Sequence, residues 1–442
     1  QRVRRIIGSE ASPHTDFTVK QLIRGLEPGR QWWYRVCFQD LDNPVVVSAP
    51  EVGRFKTAPV DRQDVRFLWS ADTAGQGFGI DLARDGMTMY RTMAALEPDF
   101  LVHCGDNIYA DNPFPESILL DDGSHWRNIV TPETAKVAET LDEFRANYRY
   151  NFLDEHFRRF HARTPIVALW DDHETLNNWY PGEQLVDDDR YLTQSAALLA
   201  SRARTAFFEY LPIRESATRP RRIERALRYG PHLDLFCLDL RSYRGPNTGR
   251  RPDGSQDWSL LGQRQLNWLR RRLKASTATW KVICSDMPIG LVVSDGVDGV
   301  EAVGIGDGPP TGRELEIAAL LRFLKNQRIR NTVWLTGDVH YAASHHYDPS
   351  RAQFQDFDPF WEFVSGPIHA GTFGPNRLDN TFGPEVRFQS IPADLKPNRP
   401  PSDGLQFCGE VKIDGKTGAM TVTHCNVAGE RLWSTELTPH ER

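Results

Sequence analysis

Two segments of the 442-residue sequence combine an apolar run, a glycine and acidic or histidine side chains in the same order. The first covers residues 100–106, ends in Gly-Asp, and is followed by Tyr109 and Asp111. The second covers residues 331–340 and ends in Gly-Asp-Val-His. Each apolar run predicts a buried strand, and its glycine permits a sharp turn at the strand end. Acidic groups placed there are costly without a compensating cation, so the pattern indicates a metal centre at one sheet edge.

Composition narrows the class of protein. Hydrophobic residues make up 40 % of the chain and charged residues 25 %, which is typical of a globular protein with a large core. The net charge of −6 and the lack of a long basic run give no reason to expect specific nucleic-acid binding. No stretch reaches the roughly 18–20 apolar residues of a transmembrane helix, so we expect no transmembrane segment. The chain does not begin with Met, and we expect a trimmed product whose export signal lies outside it.

The chain divides by pattern into two parts. Residues 1–60 read as β, with strands predicted at 17–22, 31–38 and 53–57, like the last strands of an immunoglobulin or fibronectin sandwich. These strands are too few for a whole sandwich, so either earlier strands are missing or the module leans on the main domain. Residues 61–442 alternate strands with helices, which predicts an α/β layer fold.

Within the second part, continuous apolar runs predict strands and amphipathic runs predict helices. The predicted strands are 65–70, 100–102, 165–170, 233–239, 280–285 and 332–335, with a hairpin over 409–414 and 419–424; the predicted helices are 86–96, 135–160, 192–209, 261–273 and 313–325. Two long loops rich in Gly, Asp and Pro, 111–130 and 291–312, are of the kind that often carries function.

Candidate metal-binding and catalytic side chains follow four of the predicted strands. They are Asp72; Asp106 with Tyr109; the run Asp171-Asp172-His173-Glu174; and Asp338 with His340. A single Asp after a strand is usually a turn or helix cap, but four such ends in one α/β domain are hard to explain as caps. Strand ends on one edge converge, and converging carboxylates repel each other unless a cation lies between them. We therefore predict a metal cluster.

These blocks resemble the metallophosphoesterase superfamily, whose pattern is Asp, Gly-Asp, Asn-His-Asp/Glu and a late Gly-His-x-His. The forms Gly-Asp-x-x-Tyr, Trp-Asp-Asp-His-Glu, Leu-Asp-x-Arg-x-Tyr-Arg (238–244) and Leu-Thr-Gly-Asp-Val-His are similar to the PhoD-like alkaline phosphatases and phosphodiesterases. The resemblance spans about residues 64–370. It implies an α/β/β/α sandwich of two mixed sheets flanked by helices, preceded by a small, partial β module.

The resemblance also implies a set of metal ligands. Asp106 would bridge two metals, and Tyr109 and His340 would bind the first, where a phenolate favours Fe(III). Asp72 stands where PhoD-like members commonly place a Cys, so a hard carboxylate replaces a thiolate. Asp172 would bind the second metal, and Asp338 belongs with His340 to the late pair. The oxygen-rich second site suits Ca²⁺, Mn²⁺ or Mg²⁺ better than Zn²⁺.

Three residues are predicted to act in catalysis, namely His173, Asp172 and Arg241. His173 matches the family histidine that contacts phosphate and protonates the leaving group. Arg241 either binds phosphate or pairs with Asp239. Asp171 is a candidate partner for His173.

For some of the other polar residues, the sequence allows both a structural and a functional role. Asn177 and Asn178 either cap a helix or hold phosphate or a metal, and Asp286 is either a ligand or a structural residue. His103 reads as a core histidine, and His345 and His346 read as loop or outer residues. Buried thiols are predicted at Cys104, Cys237 and Cys284, whereas Cys408 and Cys425 flank the hairpin and could pair if oxidised.

The residues alone predict a metal-assisted hydrolase. The resemblance implies that its substrates are phosphate esters and that a metal-bridging hydroxide attacks phosphorus in line. Small-molecule, lipid or polymer phosphate esters are the expected substrates. A phospholipase D-type or phosphotriester hydrolase is the nearest alternative, and a non-catalytic surface binding protein is the alternative of another class. The resemblance places the protein in the periplasm or outside the cell.

Overall fold

Two mixed β-sheets pack face to face at the centre of the computed structural model, which describes residues 4–216, 218, 220–248 and 259–440. From edge to edge, one sheet contains β21 (Arg431–Leu437), β20 (Met420–Asn426), β19 (Phe407–Ile413), β3 (Val65–Ser70), β4 (Phe100–His103) and β7 (Ile166–Ala168). The other contains β18 (Pro384–Gln389), β15 (Ala343–Tyr347), β16 (Phe360–Val364), β14 (Thr332–Thr336), β10 (Trp280–Cys284), β9 (Leu233–Cys237) and β8 (Arg225–Tyr229).

The remaining elements are helices and short hairpins. The α-helices are α1 (Thr88–Ala95), α2 (Leu141–Asn151), α3 (Glu155–His161), α4 (Ala196–Tyr210), α5 (Gly262–Ala275) and α6 (Glu314–Asn326). Two-stranded pairs join β1 (Gln31–Val36) to β2 (Glu51–Lys56), β5 (Ser117–Leu119) to β6 (His125–Arg127), β11 (Leu291–Val292) to β17 (Arg377–Leu378), and β12 (Ser294–Asp295) to β13 (Gly299–Val300). Single 3₁₀ turns cover Pro13–Thr15, Leu82–Arg84, Pro349–Arg351, Asn380–Phe382 and Pro401–Asp403. None of these described helices has the length and apolar character to span a bilayer.

A single apolar layer joins the inner faces of the two sheets. Phe67 and Val102 of the first sheet belong to the same buried cluster as Leu235, Val282 and Phe363 of the second. Burial of side chains of this size contributes about 1.5–3 kcal/mol each. The outer face of the second sheet is covered by α5 and α6, and that of the first by helices that include α1. The predicted α/β/β/α sandwich is confirmed.

The direction of the strands sets where functional residues emerge. In the first sheet β3, β4 and β7 run parallel, and in the second β9, β10, β14 and β16 run parallel. The segments that follow β3, β4, β7, β10 and β14 therefore contain all the predicted metal ligands. The parallel strands are mostly apolar because both of their faces are buried, although β3, β9 and β10 each include one charged residue.

Two predicted elements differ from the structure. The helix expected over 135–160 is two helices, α2 and α3, because Asp154 leaves the helical conformation and caps α3 by accepting the Phe157 N–H at 2.8 Å. The strand expected over 17–22 is not a strand. Phe17 there has a left-handed φ of 57° and is 60 % exposed, so the segment lacks both the backbone and the burial of a strand.

The amino-terminal hairpin of β1 and β2 rests on the main body. The Tyr34 hydroxyl donates to the Ala162 carbonyl at 2.9 Å, and Lys56 pairs with Asp99 at 3.0 Å. These contacts agree with a module that leans on the second part of the chain. The division into residues 1–60 and 61–442 stays a prediction.

Candidate metal centre

The strand ends of both sheets bring the predicted ligands together. Within the described residues, three groups have ligand atoms within 4.8 Å of one another: Asp72, Asp106 and His340; Asp106, Asp172 and His173; and Asp171, Asp172 and Asp338. Asp106 belongs to the first two groups and Asp172 to the last two. The arrangement is therefore one continuous cluster with room for more than one cation.

The backbone turns sharply at four of these positions. Asp72, Asp106, Asp338 and His340 have left-handed φ values of 68°, 53°, 67° and 62°. A left-handed conformation costs a non-glycine residue about 1–2 kcal/mol. Such strain persists only where the surrounding structure enforces it, and it concentrates at functional sites.

Glu174 fixes the ends of β4 and β7 to each other. Its fully buried carboxylate accepts hydrogen bonds from the backbone N–H groups of Asp106 at 3.2 Å, Asn107 at 2.5 Å and Asp171 at 2.7 Å. A carboxylate with several N–H donors is well satisfied without a cation. Glu174 is thus a structural brace that leaves Asp106 and Asp172 to face the cluster.

His173 is oriented by Asp111, not by the predicted Asp171. Its Nδ1 lies 2.7 Å from Asp111 Oδ1, and its ring stacks on Tyr109 with centroids 4.3 Å apart. The other ring nitrogen, Nε2, lies 3.9 Å from Asp172 Oδ2. Burial lowers the pKa of His173, but Asp111 and Asp172 together raise it to about 10.

Asp171 instead forms an ion pair with an arginine. Both side chains are buried, and Nε of Arg241 donates to Asp171 Oδ1 at 2.5 Å. A helix-like turn after β7 places His173 two residues further on, where its ring faces Asp111. The prediction of Asp171 as the partner of His173 was wrong because chain proximity does not fix side-chain direction.

Tyr109 and His340 come from different sheets and meet at the cluster. The Tyr109 hydroxyl lies 2.9 Å from His340 Nε2, and His340 Nδ1 lies 2.5 Å from the Gly371 carbonyl. The same His340 Nε2 is 3.8 Å from Asp72 Oδ1. Burial, followed by the charges of Asp106 and Asp72, raises the pKa of Tyr109 well above its usual range, so a phenolate there needs a cation.

Arg241 lies in the centre of the carboxylates with no solvent exposure. Besides Asp171, its guanidinium pairs with Glu301 and lies 3.5 Å from both Asp172 and Asp286. The expected side-chain pairing with Asp239 was wrong, because that carboxylate accepts from the Arg241 backbone N–H at 3.1 Å. The predicted phosphate contact of Arg241 stays a prediction.

Glu301 was missed by sequence reasoning. It follows β13 in the long loop 291–312 and is 1 % exposed, although nothing local marks it as buried. Its carboxylate also lies 3.6 Å from Arg244, and its carbonyl accepts from Arg313 at 2.7 Å. The only available signal was the unusual length of the loop.

The two asparagines after the Asp-Asp-His-Glu run act through their backbones. The Asn177 N–H donates to Asp111 Oδ2 at 2.8 Å, and the Asn178 N–H donates to Asp172 Oδ2 at 2.6 Å. The Asn178 side chain donates to Asp295 of the β12–β13 hairpin at 3.0 Å. These asparagines therefore orient the carboxylates beside them.

The donor set fits metal ions. Both carboxylate oxygens of Asp72 and Asp286, and Oδ1 of Asp172, are buried and have no hydrogen-bond partner among the described residues. Burial and neighbouring carboxylates raise the pKa of Asp72 and Asp106 well above the usual range. Oxygen atoms this poorly satisfied are the ligands that hard cations take, and a cation would keep them ionised. Asp286 is thereby a further ligand candidate.

The remaining predicted histidines and thiols lie apart from the cluster. His103 is buried and bonds Thr73 at 2.9 Å, so it is the core histidine expected. His345 bonds Glu362 at 3.0 Å within the second sheet. Cys104, Cys237 and Cys284 are buried thiols, as predicted. Cys408 and Cys425 face each other on β19 and β20 as free thiols, and their oxidative pairing stays a prediction.

Comparison with known proteins finds a similar sequence and structures with a similar fold. Alkaline phosphatase D of Bacillus subtilis (strain 168) is 28 % identical over 401 residues, which cover 86 % of this chain and 64 % of that protein. A solved PhoD structure superposes with a TM-score of 0.65 at 21 % identity, over 97 % of this chain and 78 % of that one. A purple acid phosphatase from yellow lupin (Lupinus luteus) seeds superposes with a TM-score of 0.52 at 11 % identity. The superposition covers 94 % of this chain and 61 % of that one.

Both parts of the sequence match patterns of one family. Residues 67–424 match the PhoD-like phosphatases, and residues 1–59 match the amino-terminal domain of the same proteins. The first match alone covers most of the chain and includes every predicted ligand. The chain belongs to the PhoD-like phosphatase family.

Proposed function

We propose that this chain is a metal-dependent hydrolase of phosphate esters, acting as an alkaline phosphatase or phosphodiesterase. The observation that carries the proposal is the pair of ligand groups that share Asp106, with His173 in the second group. Family membership supports phosphorus as the electrophile. The chain spans 64 % of the length of the Bacillus relative, so that protein's activity supports the proposal by similarity only.

The proposed metal ligands combine members of the three groups with Tyr109, whose hydroxyl lies 2.9 Å from His340 Nε2. Asp106 and Asp172 share one group, and Asp172 and Asp338 share another. Asp72, Asp106, Tyr109 and His340 would hold one ion, and Asp106, Asp172 and Asp338 a second. Bound cations supply Lewis-acid activation of water and neutralise charge that develops on phosphoryl oxygens. A phenolate favours Fe(III) at the first position, and the carboxylate-rich second position favours Ca²⁺, Mn²⁺ or Mg²⁺.

His173 is the proposed proton donor. Asp111 holds its Nδ1 at 2.7 Å and so directs Nε2 towards Asp172 and the cluster. Burial lowers the pKa of the ring, but the charges of these carboxylates raise it above its ordinary value, which favours the protonated form. It can therefore hold a phosphoryl oxygen or give its proton to the departing alkoxide.

Arg241 has a different proposed role. Asp171 and Glu301 occupy most of its donors, and only Nη1 lacks a hydrogen-bond partner among the described residues. Its charge partly offsets that of the surrounding acids and holds Asp172 in place. A direct phosphate contact would have to use Nη1.

Substitution Asp106→Asn tests the proposal. It keeps the size of the side chain but removes the charge shared by both ligand groups. We expect kcat/KM for p-nitrophenyl phosphate and for bis(p-nitrophenyl) phosphate to fall by about 10³-fold or more, with loss of bound metal and an unchanged circular dichroism spectrum. The exposed Asp122→Asn serves as the matched control and should keep full activity.

Three outcomes separate the alternatives. Unchanged turnover in Asp106→Asn contradicts the proposal. Wild-type turnover confined to a phospholipid or a phosphotriester would favour the phospholipase D-type or triester alternative. A metal-loaded wild type with no turnover on any of these esters would favour a binding protein.

A further inference from the structure

Asp172 belongs to two of the three ligand groups, and its two carboxylate oxygens have different surroundings. Oδ1 is buried and has no hydrogen-bond partner among the described residues, whereas Oδ2 accepts the backbone N–H of Asn178 at 2.6 Å. The direction in which Oδ1 points therefore depends on where the backbone of Asn178 lies.

The backbone of Asn178 has an uncommon conformation. Its φ of 58° lies in the left-handed region, which asparagine tolerates better than most residues but which still costs free energy. Such a conformation persists where surrounding contacts enforce it. We therefore looked for the contacts that hold Asn178 in place.

Two distant segments hold Asn178. Its side-chain amide donates to Asp295 Oδ1 at 3.0 Å, and the side-chain amide of Asn247 donates to its carbonyl at 2.5 Å. Asn247, which is 7 % exposed, also donates to Asp295 Oδ2 at 2.9 Å. The three residues thus form a closed ring of hydrogen bonds that joins the segments after β7 and β9 to the β12–β13 hairpin.

Both carboxylate oxygens of Asp295 are used by this ring. Within the described residues, neither oxygen accepts an N–H group from the turn of its own hairpin, as an acid that only stabilised the turn would do. The hairpin also packs closely beside Asn247, since a Cβ atom at Gly299 would lie 2.7 Å from the Asn247 carbonyl oxygen. The position of Asp295 is therefore set by packing as well as by hydrogen bonds.

The same hairpin also affects the surroundings of the other oxygen of Asp172. Glu301 directly follows β13 and pairs with Arg241. Nη2 of Arg241 in turn lies 3.5 Å from Asp172 Oδ1. The hairpin and the residue after it thus reach both oxygens of one candidate metal ligand, each through a single intermediate residue.

We propose that Asp295 is a positioning residue for the second metal site. It holds Asn178 so that the Asn178 N–H fixes Asp172 Oδ2 and leaves Oδ1 available to a cation. Asp295 itself belongs to none of the three ligand groups, so it acts only through its neighbours. This inference rests on the metal-dependent hydrolase proposed above.

Substitution Asp295→Ala removes both hydrogen bonds of the carboxylate. The probe is Mn²⁺, titrated into the full chain after removal of divalent ions and followed by electron paramagnetic resonance. We expect the Kd for Mn²⁺ to rise by about 10-fold, as for other residues that orient a metal ligand. Turnover of bis(p-nitrophenyl) phosphate should fall at limiting Mn²⁺ and recover towards the wild-type rate at saturating Mn²⁺, because the affinity for the ion is what changes.

Asp298→Ala is the matched control. Asp298 lies in the exposed turn of the same hairpin, so its loss changes the charge of the hairpin by the same amount. The Kd for Mn²⁺ should change by less than about 2-fold, because solvent and salt screen an exposed charge. The control therefore separates the effect of charge from the effect of position.

A double-mutant cycle tests the route through Asn178. Asn178→Gly removes the side-chain amide but places there a residue that adopts the left-handed conformation readily. This variant alone should also raise the Kd for Mn²⁺ by about 10-fold. The double variant with Asp295→Ala should bind no more than about 2-fold more weakly than either single variant, whereas independent effects would multiply to about 100-fold.

The results separate this inference from the proposed hydrolase function. Equal Kd values in Asp295→Ala and Asp298→Ala, or losses that multiply in the double variant, would overturn the role of Asp295 even where the wild type hydrolyses phosphate esters. A wild type that binds Mn²⁺ but hydrolyses no ester would contradict the hydrolase, and the comparison of Kd values would still decide on Asp295. A wild type that binds no Mn²⁺ would overturn both.

A second variant covers the case in which Asp295→Ala does not fold. Asp295→Asn keeps the size of the side chain and one acceptor oxygen, so it loses only one of the two hydrogen bonds. Its Kd for Mn²⁺ should be about 3-fold higher than that of Asp298→Asn. Equal values for these two variants would overturn the inference.

Discussion

Neighbouring acids in the Asp-Asp-His-Glu run have different partners and therefore different tasks. Glu174 is saturated by backbone N–H groups, whereas Asp172 retains a buried Oδ1 without a hydrogen-bond partner. Asp171 lies between these extremes, since it is bonded to Arg241. A buried carboxylate whose oxygens already accept hydrogen bonds has a structural role. A buried carboxylate with an oxygen that lacks a hydrogen-bond partner is a candidate metal ligand.

Asp111 should matter to the proposed proton donor although it faces away from the metal groups. In Asp111→Asn the amide cannot stabilise a positive charge on His173, and ring orientation is less firmly held. We expect kcat to fall about 10–100-fold for alkyl phosphates, whose leaving groups need a proton. The fall should be much smaller for p-nitrophenyl phosphate, whose leaving group is stable as an anion.

The comparison of the two substrates is the decisive readout for Asp111. A merely structural role would lower both rates by the same factor. Equal losses for alkyl and p-nitrophenyl phosphates would therefore contradict the assignment of His173 as the proton donor.

At the scale of elements, β19 approaches β3 closely because a glycine faces a tryptophan. Gly409 pairs with Trp69, and a Cβ atom at Gly409 would lie 1.9 Å from the Trp69 ring, which is fully buried. Gly409→Ala should therefore lower the free energy of unfolding by about 2–3 kcal/mol, measured by urea denaturation. The ring cannot move aside without disturbing the layer between the sheets.

Gly182→Ala is the control for the glycine prediction. A Cβ atom there would lie 3.8 Å from the Tyr180 ring, which is an ordinary contact. We expect no change beyond about 0.5 kcal/mol. A Gly409→Ala protein as stable as this control would show that β19 and β3 are less closely packed than described.

Elements were predictable from sequence where burial was uniform. The parallel strands β3, β4, β10 and β14 are largely apolar, and each was predicted close to its observed bounds. The antiparallel strands β8, β15, β18 and β21 were not predicted. β15 reads Ala-Ser-His-His-Tyr, and its His345 is tolerated in the interior only because Glu362 of the next strand bonds it. That pairing is tertiary and leaves no local pattern.

The functional site was also predictable only in part. The residue types at the strand ends predicted the ligand groups, since parallel strands deliver their ends to one edge. The partners of those residues could not be predicted. Asp111 rather than Asp171 orients His173, and Glu301 reaches Arg241 from a distant loop. Such choices depend on side-chain directions that only the assembled sheets define.

At the scale of the whole molecule, the two sheets are joined by a buried histidine as well as by apolar contacts. His424 of β20 lies 2.9 Å from the Ser344 hydroxyl of β15 and is fully buried. Burial lowers its pKa to about 3. In the unfolded chain the histidine has its ordinary pKa of about 6.5 and becomes protonated below that pH. In the folded chain it stays neutral over most of this range.

This histidine should make the protein sensitive to acid. Its contribution to stability is fully present above pH 6.5 and is lost as the pH falls towards 3, by up to about 1.4 kcal/mol per pH unit. In His424→Gln, the decrease in the free energy of unfolding between about pH 6.5 and pH 4 should be about 3 kcal/mol smaller than in the wild type. Urea denaturation at each pH measures it.

The exposed His14→Gln is the matched control for acid sensitivity and should behave as the wild type. If His424→Gln shows the same pH dependence as the wild type, the histidine takes up its proton in the folded state. The description of its site as dry would then be wrong.

The central claim is that the strand ends of both sheets hold metal ions through Asp106, Tyr109 and their neighbours. Metal analysis of the purified protein, with a visible spectrum of the same sample, tests it most directly. We predict about one equivalent of iron with a broad phenolate-to-iron absorption band that disappears in Tyr109→Phe, and at least one further divalent ion. A protein that binds no metal, even after metals are added back, would contradict the account.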